Sequence, residues 1–233
     1  MEFDEWEPVY EAILRDFAYD RAGDERGRDL LAARLEESFD PTELPIGPET
    51  TVAIAGAGPS LETETDLERA READAVVAAS TAVDTLAAHG IDADCMVTDL
   101  DKNPETVERL TAAGVPVAVH GHGDNLEAIR EVVPNCDDAY VLPTTQAAPR
   151  GPVRNFGGFT DGDRAAFLAD HLGTGRLTFV GWDFDDPAVD APKARKLEWA
   201  ERLLVWLESR RDERFAVLDE RRDAIDTASL PLE

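Results

Sequence analysis

Lysine is almost missing from this chain: only Lys102, Lys193 and Lys196 occur among 233 residues. Acidic residues outnumber basic ones by 50 to 23, for a formal charge of −27. Such a surface argues against nucleic acid and anionic membranes as partners, since both are themselves polyanions. It also repels itself in dilute buffer, a strain that concentrated salt screens over a few Å. The scarcity of lysine and the excess of acid point to the cytoplasm of a halophile. We expect the fold to loosen below roughly a few tenths molar salt, where the screening length grows toward about 10 Å. Circular dichroism across a KCl series checks this; an unchanged spectrum and melting point in near-salt-free buffer would contradict it. A polyanionic ligand such as ATP stays compatible with the charge, provided it arrives with a divalent cation and meets local basic groups.

Other absences narrow the field further. The two cysteines, Cys95 and Cys136, are far apart and form no CxxC, so neither a zinc ribbon nor a disulfide framework is expected. No apolar run is long enough to cross a bilayer, and the opening "MEFDEWEP" is acidic where a signal peptide would be basic. A cytoplasmic protein is therefore expected. Internal repeats, low-complexity tracts and a Walker loop are all lacking.

The apolar residues that are present form two patterns. Up to about Pro48 they recur at helical spacing: Trp6, Val9, Tyr10, Ile13, Leu14 and Phe17, then Leu30, Leu31, Leu35 and Phe39 after an apparent break at "AGDERG". "DPTELPIGPET" reads as a connector, which gives a helical segment over 1–48 and an α/β unit over 49–233. In the latter, six short apolar runs alternate with helical stretches: "TVAIA" (51–55), "AVVAAS" (75–80), "DCMVT" (94–98), "VPVAVH" (115–120), "AYVLP" (139–143) and "RLTFVG" (176–181). The alternation predicts a mostly parallel sheet with helices on both faces. "KLEWAERLLVWLESRRDERFAVLDE" predicts one long C-terminal helix or a helix pair.

Ligands of open parallel sheets bind beyond the carboxyl ends of the strands. Five of the runs end in small or polar segments: "GAGPSL", "STAV", "TDLD", "HGHGDN" and "GWDF". In "GAGPSL", Gly56 and Gly58 permit positive φ or close backbone approach, and Ser60 is a candidate helix cap, so a phosphate or ribose loop competes with a plain tight turn. Pro59 and Leu61 break the dinucleotide fingerprint, which argues against NAD. In "TDLD", Asp99 and Asp101 point the same way if extended and could share a hard cation such as Mg²⁺; otherwise Asp101 caps the helix near Pro104. "HGHGDN" places His120, His122, Asp124 and Asn125 in a turn suited to touching a ligand. Asp161 opens a helix after "NFGGFT", either as a cap or facing the same metal, and Arg164 one turn later suits phosphate. Lys193 and Lys196, three apart at a helix start, share a face suited to an anion.

Taken together and in this order, "GAGPSL", "VTDLD", "HGHGDN", "NFGGFTDGDRA" and "GWDF" followed by "KARKLEWA" resemble the archaeal 6-hydroxymethyl-7,8-dihydropterin pyrophosphokinase family, from about Thr51 to Trp206. The resemblance implies a thiamin pyrophosphokinase-like core and Mg²⁺-dependent transfer of diphosphate from ATP to a reduced pterin alcohol, releasing AMP, in folate-type or tetrahydromethanopterin biosynthesis. It implies metal contacts at Asp99, Asp101 and Asp161, and Arg164 beside them in the catalytic group. Gly56, Gly58, Pro59, Ser60, Lys193 and Lys196 are then expected to bind the nucleotide. His120, Asp124, Asn125, Trp182 and Asp183 are expected to touch the pterin, although Trp182 departs from the smaller residue of the family pattern and serves equally well as core. A homo-oligomer stays open. Two rival readings share these motifs: a metal-dependent glycosyltransferase using a nucleotide sugar, and a non-catalytic nucleotide-binding module.

Overall fold

The computed structural model describes residues 1–232; Glu233, the last residue of the expected α/β unit, lies outside them. Six strands form one wholly parallel sheet in the order β5-β4-β3-β2-β1-β6: β1 Thr51–Ala55, β2 Ala75–Ala79, β3 Cys95–Thr98, β4 Val117–Gly121, β5 Val141–Thr145 and β6 Arg176–Val180. Alternate strand residues face opposite sides, and both sides are buried. Val52, Ile54, Val77, Val97 and Phe179 pack with one set of helices: α1 (Phe3–Phe17), α7 (Asp161–His171) and α8 (Ala191–Arg211). Ala53, Val76, Met96 and Val119 pack on the other side, against α3 (Glu64–Glu72), α4 (Ala82–Ala88), α5 (Pro104–Ala112) and α6 (Leu126–Val132). The first side carries the largest buried groups, with Trp6, Trp199, Tyr10 and Phe167 almost wholly shielded. Each apolar group of this size stabilises the fold by about 1.5–3 kcal/mol on burial. Among the described residues, no helix is long and apolar enough to cross a membrane.

Two local expectations change, and an alternative left open at the C-terminus is decided. "AGDERG" does not interrupt a helix; it lies inside α2, Arg21–Ala32, started by Asp20, whose carboxylate accepts from the Ala22 amide at 3.1 Å. Gly23 and Gly27 lie against the turn after β4: a Cβ on Gly27 would fall 2.5 Å from the His122 carbonyl oxygen. The glycines are therefore the packing face of α2. Second, Ser60 does not cap a helix. Residues Pro59–Glu62 make a short 3₁₀ turn, and Thr63 caps α3, its hydroxyl accepting from the Asp66 amide. The C-terminal stretch is one helix, α8, ending where Asp212 turns left-handed at φ 49°.

The sheet order reverses at β1, with β2 on one side and β6 on the other. That is where loops diverge and leave a crevice in folds of this kind. Here the segments following β1 and β6 meet directly, since the Gly58 amide donates to the Gly181 carbonyl at 2.9 Å.

Candidate active site

A cavity of about 400 Å³ opens at the carboxyl edge of the sheet. The turns after β1, β2, β3, β4 and β6 all reach it, together with α2 and the starts of α7 and α8. Of the residues expected at the site, Gly56, Gly58, Asp99, Asp101, Asp124, Asp161, Arg164, Trp182, Asp183, Lys193 and Lys196 line this space. Pro59, Ser60, His120 and Asn125 do not line it.

The glycine loop is shaped by space. Gly58 has φ −77°, and neither it nor Gly56 is among the residues of positive φ. A Cβ on Gly58 would lie 2.3 Å from Asp183 Oδ2, and one on Gly56 would lie 2.5 Å from the Gly181 carbonyl. Asp183 holds this loop in place by accepting from the Ser60 amide at 2.9 Å. Beside it, the Trp182 indole donates to the Ile54 carbonyl at 3.0 Å and packs edge-on to Phe179, with its open side toward the cavity.

The acidic wall comes from β3 and α7. Leu100, between the two aspartates, has φ 68°, and the Asp101 amide donates to Asp99 Oδ1 at 3.2 Å. Asp101 caps nothing: the residue before α5 is Asn103, whose side-chain amide instead donates to Asp84 at 2.6 Å. Similarly, Thr160 and Asp163 form the capping box of α7, leaving Asp161 free of that task. Asp161 instead pairs with Arg164 at 3.0 Å. Burial, reinforced by the negative charge of Asp99, pushes the Asp161 carboxyl up to about 7. Burial and the Asp99 charge raise Asp101 as well. Burial also acts against ionised Asp99, but the His122 ring, 3.6 Å away, and the charge of Arg164 outweigh it, and Asp99 is held well below the usual carboxylate range. The three carboxylates are thus near enough to oppose one another's ionisation.

That donor set fits a hard divalent cation. Among the described residues, no three His, Cys, Asp or Glu side chains close around a single point. Mg²⁺ tolerates this openness, because it takes one or two carboxylates and fills the rest of its shell with water and phosphate oxygens.

Several contributors to the cavity were not expected from the motifs. Tyr19, Asp20, Gly23, Asp24 and Arg26 reach it from α2 and the turn before it, and Lys102 and Gln146 from the turns after β3 and β5. Asp24, only 4% exposed, accepts from Tyr10 Oη at 2.7 Å, from Gln146 Nε2 at 2.7 Å and from the Gly123 amide at 3.0 Å. Gln146 Oε1 in turn faces Arg164 Nη2 at 3.4 Å. The only sequence signal for this wall was the pair Gly23 and Gly27, spaced to let a helix lie flush on another backbone. Asn125 has a different task from the one expected: its amide donates to the carbonyls of Asp99 and His120, at 2.6 and 2.7 Å, and stitches two turns of the site together.

Comparison with known proteins gives a consistent result. A family model described as 6-hydroxymethylpterin diphosphokinase MptE-like matches residues 31–188. A protein of Methanothermobacter thermautotrophicus is 38% identical over 236 residues, covering 92% of this chain and 99% of its own length. One from Pyrococcus furiosus is 37% identical, covering 90% of this chain and 95% of its own. A third, from Methanocaldococcus jannaschii, is 32% identical, with 90% and 97% covered. All three carry the name 6-hydroxymethyl-7,8-dihydropterin pyrophosphokinase. The family match stops short of both Asp24 and Lys193.

Proposed function

The chain belongs to the 6-hydroxymethylpterin diphosphokinase MptE-like family, and from that premise we propose that it is an enzyme transferring the diphosphate of ATP to the hydroxymethyl group of 6-hydroxymethyl-7,8-dihydropterin. The observation that carries this reading is the meeting of Asp99, Asp101 and Asp161 on one cavity wall, between a tight glycine loop with two lysines on one side and α2 on the other. The pterin alcohol oxygen attacks the β-phosphorus, the bond from that phosphorus to the bridging oxygen of the α-phosphate breaks, and AMP leaves; the alcohol proton goes to solvent or a carboxylate. Little covalent work falls to the protein in such a transfer; positioning and charge compensation dominate.

Asp99, Asp101 and Asp161 would hold Mg²⁺, which when bound neutralises phosphate charge. Lys193 and Lys196 give the nucleotide half of the cavity its cations. Neither lysine is tied up in an ion pair among the described residues. The α2 half suits the pterin. Tyr19 offers an aromatic face, and the Asp124 side chain can accept the amino and ring N–H donors of a pterin edge. The same carboxylate would repel a triphosphate placed there.

The test is AMP formation from ATP that depends on both Mg²⁺ and the reduced hydroxymethylpterin. Turnover of a nucleotide sugar in its place would support the transferase alternative, and ATP binding without AMP release would support a binding module. A Lys193→Ala, Lys196→Ala double variant separates the two halves. Charge-assisted contacts contribute about 1.5–3 kcal/mol each, so ATP affinity should fall more than about tenfold. Pterin affinity should stay near wild type. Unchanged ATP affinity would mean that these lysines only meet solvent.

A further inference from the structure

His120 belongs to the "HGHG" motif, yet its ring is 2% exposed and plays no part in the cavity just described. It lines a second, much smaller space of about 10 Å³ together with Val97, Thr144, Thr145 and Arg164. That volume is about what one water molecule requires. Two buried side-chain nitrogens bordering it find no hydrogen-bond partner among the described residues: His120 Nε2 and Arg164 Nε. Buried polar atoms are almost always paired, with protein or with ordered water.

The surrounding bonds fix what each of the two atoms can do. Thr144 Oγ1 donates to the Val119 carbonyl at 3.2 Å, so its lone pair is what meets His120 Nδ1 at 3.1 Å. His120 Nδ1 must then carry the proton, which leaves Nε2 an acceptor. Arg164 Nε can only donate. A donor and an acceptor thus border a space of one-water size whose walls are otherwise mostly apolar, Val97, Ala118, Phe156 and Leu168 among them, and Thr145, whose hydroxyl oxygen retains a free lone pair, lines it too. Burial and the charge of Arg164 both keep the His120 ring neutral, as an acceptor must be.

We propose that one bound water accepts from Arg164 Nε and donates to His120 Nε2, making His120 the positioning residue of Arg164. The guanidinium is then held on three sides. Nη1 bonds to Asp161 at 3.0 Å and Nη2 faces Gln146 at 3.4 Å, itself anchored on Asp24. The water bridge completes the set. Groups that orient metal ligands in the same indirect way typically matter by about 10–100-fold, and a similar scale is expected for Arg164.

The experiment reads the water first and activity second. In ¹⁵N-labelled protein without substrate, the Arg164 Nε–H resonance, assigned by its loss in Arg164→Lys, should show a cross-peak to a long-lived water. This readout is independent of the proposed reaction, so failure of that reading leaves it intact. His120→Phe keeps the ring volume but removes the acceptor; it should lose the cross-peak and lower kcat about tenfold, with KM for both substrates little changed. His120→Gln, which can return an acceptor to the space, should recover most of kcat. Absence of the cross-peak in the wild-type protein overturns the proposal whatever the variants do. A folded His120→Phe protein with wild-type kcat overturns the positioning role.

Discussion

Asp101→Asn leaves the protein folded and removes nearly all diphosphate transfer, by on the order of 10²-fold or more at low Mg²⁺, the scale on which loss of a key electrostatic contact acts in other enzymes. Asparagine has almost the shape of aspartate, and Asp101 is an exposed residue at the cavity whose side chain caps no helix. The substitution therefore touches charge and little else. That charge is held at a disadvantage: although the residue as a whole is exposed, its carboxyl is partly desolvated by the cavity wall, and this together with the neighbouring Asp99 carboxylate raises it. Removing one of two opposed carboxylates relieves repulsion, and functional sites often carry such strain at the expense of stability. The melting temperature measured without metal should accordingly stay level or rise. Activity and stability thus move in different directions, which simple damage to the fold cannot produce. Raising Mg²⁺ should recover part of the turnover, because a weakened site fills at higher concentration. Near-normal turnover at low Mg²⁺ would falsify the assignment of Asp101 to a metal.

The sheet was legible because a parallel strand buried on both faces becomes an unbroken apolar run, as "TVAIA" and "RLTFVG" do. Those two runs match β1 and β6 closely. The run for β5 lies two residues early, and that for β4 starts two residues early and ends one early. Asp138–Tyr140 form a 3₁₀ turn, while the polar Thr144 and Thr145 are inside β5 with the burial of core residues. "TDLD" and "FTDGD" pointed to one edge because a strand and its following turn are local objects. What escaped was long-range. Asp24 and Gln146 are 122 residues apart and bond at 2.7 Å, and nothing local to either predicts the other. The same holds for Tyr19 and Arg26, which enter the cavity only because α2 lies against the turn after β4. Propensity alone makes "AGDERG" a break, since glycine disfavours a helix. Close backbone approach in the folded chain overrides that preference.

Gly27→Ala puts the same point to a measurement in which two physical effects predict opposite signs. In an exposed helix, alanine for glycine stabilises by about 0.8–1 kcal/mol through propensity. At Gly27 the new methyl would sit 2.5 Å from the His122 carbonyl oxygen and 2.6 Å from its amide nitrogen. Both are backbone atoms, so no side chain can swing aside, and Gly23 already lies near Gly123, with a Cβ there only 3.2 Å from its Cα. Overpacking of this kind costs about 1–3 kcal/mol and occasionally more. We expect the clash to win and the melting temperature to fall by several degrees, at about 2–4 °C per kcal/mol for a chain of this size. Gly47→Ala is the control, since a Cβ there meets nothing within 4 Å and its melting temperature should scarcely move. The clash also displaces the turn carrying His122 and Asp124, and His122 reaches Asp99 at 3.6 Å. KM for the pterin should therefore rise in the folded fraction, while ATP affinity at the Lys193 end holds. A Gly27→Ala protein that melts at or above the wild-type temperature would mean that α2 can slide off the turn freely, and the α2 wall of the cavity would then have to be given up.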